Sequence, residues 1–192
     1  LKAGSAHGCD FSLCVGPVKL LSNRLPVMRQ AGKSFMHLIL MRHAEAAPAV
    51  GGPDSARPLT NIGNQQARSF GLFLKDQDFP VSVIEHSPLL RTTQTARLVA
   101  ESLNTEVGVE INPDLAPGAD VLALLGGLGK RKEAGLLFIF HAPDVNEFAV
   151  ALLGAPALGF RFAPGAALAV HLENGQSRLI WHHTFETYSP QA

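Results

Sequence analysis

The chain has 192 residues, 46% of them hydrophobic and 17% charged, and its formal net charge is zero. That composition describes one well-buried globular domain and excludes general disorder. Zero net charge removes any bulk electrostatic case for nucleic acid or an anionic membrane, and no apolar stretch is long enough to span a bilayer.

Residues 1–35 carry scattered Gly, Pro, Ser, Lys and Arg with no sustained period. They read as a poorly structured N-terminal extension, with a regulatory arm as the alternative. No apolar h-region marks a secretory signal, and Met28 and Met36 are both possible starts. Cys9 and Cys14 fit neither a common zinc pattern nor a disulfide framework, so reduced thiols and a cytoplasmic location are expected. The domain is expected over residues 36–192.

From Met36 onward, strand and helix signals alternate. Met36 to Arg42 is a short apolar run, predicted as the first strand. A loop follows through Gly51, Gly52, Pro53 and Pro58. Thr60 or Asn61 can cap a helix that runs to about Lys75. Val81 to Glu85 reads as a strand. Ser87-Pro88 then predicts a helix with Ser as cap and Pro at its first position. Its apolar face is Ala96, Val99, Ala100 and Leu103.

Val107 to Ile111 is a short strand, and Asp120 to Leu128 a weak helix. Leu136 to Phe140 is a solid apolar run, as expected of a central strand covered on both faces. Val145 to Leu153 is helical. Ala167 to Leu172 and Arg178 to His183 are strands joined through Glu173-Asn174-Gly175, a hairpin signal. The pattern predicts an α/β fold: a three-layer α/β/α sandwich with a mostly parallel sheet and an antiparallel strand near the C-terminus.

With no net charge, an anion site must be a local basic cluster, and four features supply one. Arg42-His43 ends the first strand, where ligands bind in open α/β sheets. Arg57 precedes the first long helix. Arg91 lies near the start of the next, so its side chain leans back toward the sheet end. His141 ends the strand that stops at Phe140. Three guanidiniums and two imidazoles together suit a phosphoryl dianion, and phosphoryl transfer needs mainly positioning and charge stabilisation.

The segments around these residues are Met41-Arg42-His43-Ala44-Glu45-Ala46, the run Arg57-Pro58-Leu59-Thr60 through Gly63 to Gln66-Ala67, the run Ser87-Pro88 through Arg91 to Thr95-Ala96, and His141-Ala142-Pro143. In this order they resemble the motifs of the histidine phosphatase superfamily, whose fold is phosphoglycerate mutase-like. The likeness is greatest to its small SixA-type phosphohistidine phosphatases and covers Met36 to about Phe185. It implies that His43 is the nucleophile that takes the phosphoryl group and passes it to water. It implies that Arg42, Arg57 and Arg91 grip the phosphoryl oxygens and that His141 donates to them. Arg57 is then substrate-binding, and Arg42, His43, Arg91 and His141 are catalytic. No metal or other cofactor is implied.

Two residues depart from the family pattern. Phe140 stands where a small residue is usual and is expected to face the pocket. Asp144 follows the Pro and reads as a helix cap. The sugar-phosphate mutases and many ester phosphatases of that superfamily carry an extra carboxylic acid in a longer insert, but here Pro113 to Asp120 is compact. An alkoxide leaving group needs a general acid, whereas phosphohistidine departs as imidazole. Asp54, Glu45 and Asp144 remain as candidate acids.

The expected function is therefore a metal-independent phosphatase of protein phosphohistidine, with a phosphotransfer domain of a phosphorelay as partner. A small phosphate ester or nucleotide phosphate is the alternative substrate, and a phosphate-binding module without turnover is the second alternative. A monomer is expected. His182-His183 on an alternating strand point to opposite faces, which argues against a metal pair. His37, His86 and His171 belong to no motif and read as ordinary strand residues.

Overall fold

The computed structural model describes residues 35–188. Residues 1–34, with Cys9 and Cys14, lie outside it. Phe35, expected in the extension, is instead the first residue of a strand, β1 (Phe35–Arg42).

A six-stranded sheet forms the middle layer, in the order β3-β2-β4-β1-β5-β6. Its other strands are β2 (Val83–His86), β3 (Gly108–Ile111), β4 (Gly135–Phe140), β5 (Ala167–Glu173) and β6 (Gln176–His183). Strands β1 to β4 are mutually parallel, while β5 and β6 add antiparallel at one side. Every residue of β4 is buried, as its unbroken apolar run requires. β2 begins later than Val81 because its pairing starts only at Val83, opposite Gly108 and Leu136.

Period-two alternation divides the core. Ile39, Met41, Leu137 and Ile139 meet Ala67, Phe70 and Leu74 of α1 (Asn61–Asp76), and Ala96, Val99 and Leu103 of α2 (Leu90–Leu103). On the other face, Leu38, Leu40, Phe138 and Phe140 meet α3 (Val121–Leu128) and α4 (Asp144–Leu153). The short α5 (Phe185–Tyr188) places Tyr188 against the α1 side. The three-layer arrangement follows from these two apolar faces. Among the described residues no helix is long and apolar enough to cross a membrane.

Local chemistry fixes most boundaries. Thr60 caps α1 by accepting the Gly63 N–H at 3.0 Å. Asp120 caps α3 through the Ala123 N–H. Asn174 and Gly175 have φ of 53° and 75°, the left-handed pair that a tight hairpin requires.

Two caps differ from expectation. α2 starts at Leu90, with Leu89 rather than Ser87 before it. The Ser87 N–H continues the sheet by donating to the Ile139 carbonyl at 3.1 Å, so Ser87 is still strand-like and its hydroxyl is free for other use. Asp144 is the first residue of α4, not its cap, and its carboxylate accepts the Gly118 N–H at 2.9 Å. It thereby ties the loop before α3 to the start of α4.

The start of α1 presses on the loop after β1. A Cβ at Gly63 would overlap the Glu45 carbonyl oxygen. Gly63→Ala is expected to cost about 1–3 kcal/mol of stability, read as a lower urea midpoint at unchanged slope. Gly126→Ala, where an added Cβ meets nothing within 4 Å, is the control and should be neutral or slightly stabilising. Equal effects of the two would refute the close approach.

Candidate active site

The parallel strands deliver their last residues to one rim. The ladder between β1 and β4 extends to His43, whose N–H donates to the Phe140 carbonyl at 3.0 Å. The Arg42 N–H donates to the Ala166 carbonyl at 3.0 Å, so both residues are held by the sheet itself.

The loop beyond His43 is held by α1 and α2. The Ala44 N–H donates to Thr95 Oγ1 at 3.2 Å, and the Glu45 N–H donates to Gln66 Oε1 at 2.8 Å. Gln94 Oε1 accepts the Leu59 N–H at 2.7 Å. Gln66, Gln94 and Thr95 lie inside the motif segments, and their role follows only from the folded loop. Their amides and hydroxyl satisfy backbone groups that a loop beside a buried site would otherwise leave unpaired.

At the rim, Arg91 joins the two imidazoles. Its Nε–H donates to His43 Nε2 at 3.2 Å, and its Nη2–H donates to His141 Nδ1 at 3.3 Å. The His43 and His141 rings lie 5.3 Å apart between centroids. A guanidinium has no acceptor, so both of these ring nitrogens present lone pairs. The proton of His43 is then on Nδ1, which donates to its neighbour's carbonyl, Ala44 O, at 2.7 Å. The proton of His141 is on Nε2, which donates to Ser87 Oγ at 2.9 Å.

Electrostatics agree with these neutral forms. Burial pushes the His43 pKa down to about 4, helped by the charges of Arg91, Arg42 and Arg57 and resisted by the Ala44 carbonyl. Burial pushes His141 down to about 3, aided by His43 and Arg91. Arg42 is half-buried near Arg91. Its Nη1–H donates to the Phe162 carbonyl at 2.8 Å, while its Nε–H is buried without a partner among the described residues.

Arg57 joins less directly. Its Nε–H donates to the Ala47 carbonyl at 2.6 Å, and its Nη1 pairs with Asp54 Oδ1 at 2.9 Å. Asp54 Oδ2 lies 3.0 Å from Arg91 Nη1, which also donates to the Asp54 carbonyl. An exposed carboxylate thus bridges two of the three arginines. The Arg57 hydrogen bond and the Arg91 charge hold it below the usual carboxylate range. Of Asp54, Glu45 and Asp144, only Asp54 reaches the cluster. Glu45 accepts the Thr60 hydroxyl at 2.7 Å, at the cap of α1, and Asp144 is spent on Gly118.

The comparisons with known proteins bear on this arrangement. Residues 38–116 match the histidine phosphatase superfamily (branch 1). The phosphohistidine phosphatase SixA of Escherichia coli (strain K12) is 34% identical over 150 residues, which span 76% of this chain and 92% of that protein. The chain belongs to the histidine phosphatase superfamily. A structure of the protein histidine phosphatase SixA complexed with tungstate aligns at a TM-score of 0.71 and 31% identity, covering 79% of this chain and 99% of that one. The alpha-ribazole phosphatase from Shigella flexneri shares the fold at a TM-score of 0.64 and 20% identity, over 78% of this chain and 97% of that one. The chain is an enzyme of this superfamily.

Phe140 does not narrow the site. Its ring is fully buried on the α4 face of the sheet, edge-on to Phe148 with centroids 6.1 Å apart. The expectation that it faces the pocket is corrected by strand alternation: Phe140 follows Phe138 into the α3–α4 core. His182 stacks on Phe160 and His183 lies edge-on to Phe73, on opposite faces as expected. Among the described residues no three His, Cys, Asp or Glu side chains gather as a metal cluster.

The depressed histidines make stability depend on pH. Unfolded, each takes up a proton near 6.5, whereas folded His43 and His37 do so only at about 4 and His141 at about 3. Between these values the unfolded chain binds more protons, so stability falls as pH falls. Calorimetry should show a thermal midpoint that is steady above pH 6.5 and declines from there toward pH 4. A midpoint that rises on acidification through that window would contradict the neutral assignments.

Proposed function

We propose that the protein removes the phosphoryl group from protein phosphohistidine, the substrate being an exposed phosphohistidine on a phosphotransfer domain of a phosphorelay. The observation that carries this reading is the pair of lone pairs, on His43 Nε2 and His141 Nδ1, held toward one guanidinium. The likeness to SixA, a phosphohistidine phosphatase, supports it.

His43 Nε2 attacks phosphorus in line, and the N–P bond of the substrate breaks as the new N–P bond forms. When the second ring nitrogen of the substrate carries a proton, the leaving group departs as neutral imidazole. No proton then has to arrive at the cleaved nitrogen. The Ala44 carbonyl stabilises the positive charge that develops on the His43 ring, because it accepts the Nδ1–H. Arg42, Arg57 and Arg91 hold the phosphoryl oxygens, and the unpaired Arg42 Nε–H is a donor in reserve. Water then attacks the phosphoenzyme, releasing phosphate and regenerating neutral His43.

Asp54 bears on ester chemistry. A carboxylate paired with two arginines is ionised at neutral pH and has no proton to give an alkoxide. This favours N–P over O–P cleavage.

The test is turnover of a phosphorylated phosphotransfer domain beside a generic aryl phosphate. Fast release from the first and slow release from the second is expected. His43→Ala should lower turnover by roughly three orders of magnitude or more and abolish an acid-labile, alkali-stable phosphoenzyme. Preference for the ester would establish the alternative substrate class, and binding without release would establish a phosphate-binding module.

Asp54→Asn gives a separate check. Loss of a true general acid costs about 10²–10⁴ in rate. Turnover of phosphohistidine by this variant should change by less than about tenfold, and a larger loss would restore Asp54 as an acid.

A further inference from the structure

Ser87 occupies a place that its sequence position as a helix cap did not suggest. It is fully buried, and Ser87 Oγ lies 2.9 Å from His141 Nε2. Its backbone is clamped from three directions. Its N–H donates to the Ile139 carbonyl, and its own carbonyl accepts from His86 Nδ1 at 2.8 Å and from Thr92 Oγ1 at 2.7 Å. The hydroxyl has no other hydrogen-bond partner among the described residues. Its one remaining freedom is rotation of the O–H bond, which lets it either accept or donate.

That freedom matters because the other face of His141 must change. At rest His141 Nδ1 accepts from Arg91 Nη2, so the ring proton sits on Nε2 and Ser87 accepts it. A phosphoryl anion that draws the Arg91 N–H groups to its own oxygens leaves Nδ1 without a donor. A lone pair facing an anionic oxygen is repulsive, whereas an N–H there is attractive. Moving the proton to Nδ1 leaves a lone pair on Nε2 in a buried site, and that lone pair needs a donor.

We propose that Ser87 is the positioning residue that lets His141 change tautomer: it accepts from Nε2–H in the free protein and turns to donate to Nε2 when an oxyanion binds, so that Nδ1–H faces the oxyanion. The proton reaches Nδ1 through exchange with solvent, and the ring stays neutral before and after. The inference rests on the phosphoryl-site reading of the cluster and adds a residue that reading does not use. It also explains why the segment Ser87-Pro88-Leu89 stays outside α2. A capping Ser would turn its hydroxyl onto helix N–H groups and lose His141.

The test uses the full chain, 15N-labelled at histidine, with long-range 15N–1H spectra of the imidazoles. Free protein should show His141 protonated on Nε2. Tungstate, the oxyanion in the related structure, should move the proton to Nδ1, with His141 still neutral. Ser87→Ala should lower kcat roughly tenfold to hundredfold, because it removes the Nε2 partner in both tautomers and leaves the ligand-bound form with no donor to its buried lone pair. Ser87→Thr keeps the hydroxyl and should recover most of the loss.

A proton already on Nδ1 in the free protein overturns the inference. So does an imidazolium in the tungstate complex, or wild-type kcat in Ser87→Ala. If tungstate perturbs His43 but His141 keeps its proton on Nε2, the role of Ser87 fails and the phosphoryl site stands. If tungstate perturbs neither ring, the phosphoryl-site reading fails with it.

Discussion

The site is organised by the fact that a guanidinium only donates. Arg91 stands between two imidazoles, so each must offer it a lone pair, and each therefore has its single proton on the far nitrogen. The far nitrogens are met by groups chosen by the backbone, the Ala44 carbonyl for His43 and the Ser87 hydroxyl for His141. Burial lowers both pKa values well below neutrality, which keeps the lone pairs available at pH 7. Protonation of either ring would set a cation against Arg91 in a poorly solvated place. The lone pair on His43 Nε2 is thus a consequence of packing as much as of residue choice.

Holding Arg91 there requires α2 to begin where it does. Because Ser87 still pairs with the sheet, the helix starts three residues later and Arg91 falls in its first turn. Helical side chains lean toward the N-terminus, so Arg91 reaches back over the strand ends. Thr95, one turn on, accepts the Ala44 N–H and donates to the Arg91 carbonyl at 2.7 Å. One hydroxyl therefore couples the helix that carries Arg91 to the loop that follows His43. Gln66 and Gln94 do the same from α1 and α2 with their side-chain amides.

What could be read in the chain followed from periodicity and motif order. The alternating apolar runs placed all six strands and both layers of helix, and the motif segments named Arg42, His43, Arg57, Arg91 and His141. The misread residues are those whose polar groups have two plausible partners. Ser87 and Asp144 both look like caps, because capping depends on local sequence, yet one turned to His141 and the other to Gly118. Which partner wins is set by contacts more than twenty residues away in the chain. Phe140 was misread for a different reason. Its neighbour His141 belongs to the rim, but adjacent residues of a strand point to opposite faces. Arg57 was read as converging directly on the site, while its link to Arg91 runs through Asp54, a residue whose loop has no period to read.

Asp54 also shapes the electrostatic character of the site. Without it, Arg57 and Arg91 would face each other beside Arg42 with no counter-charge. With it, Arg57 and Arg91 share one exposed carboxylate on a 3₁₀ turn, Asp54–Ala56, that follows Gly51, Gly52 and Pro53. An exposed carboxylate is screened by water and offers its partners little net attraction. A phosphoryl dianion has more charge and three oxygens to share among the same donors. On the proposed reading, the dianion can therefore take over donors that the carboxylate holds. Arg91 Nη2 also meets His141 Nδ1, so on that reading one side chain couples the protonation of His141 to the arrival of an anion.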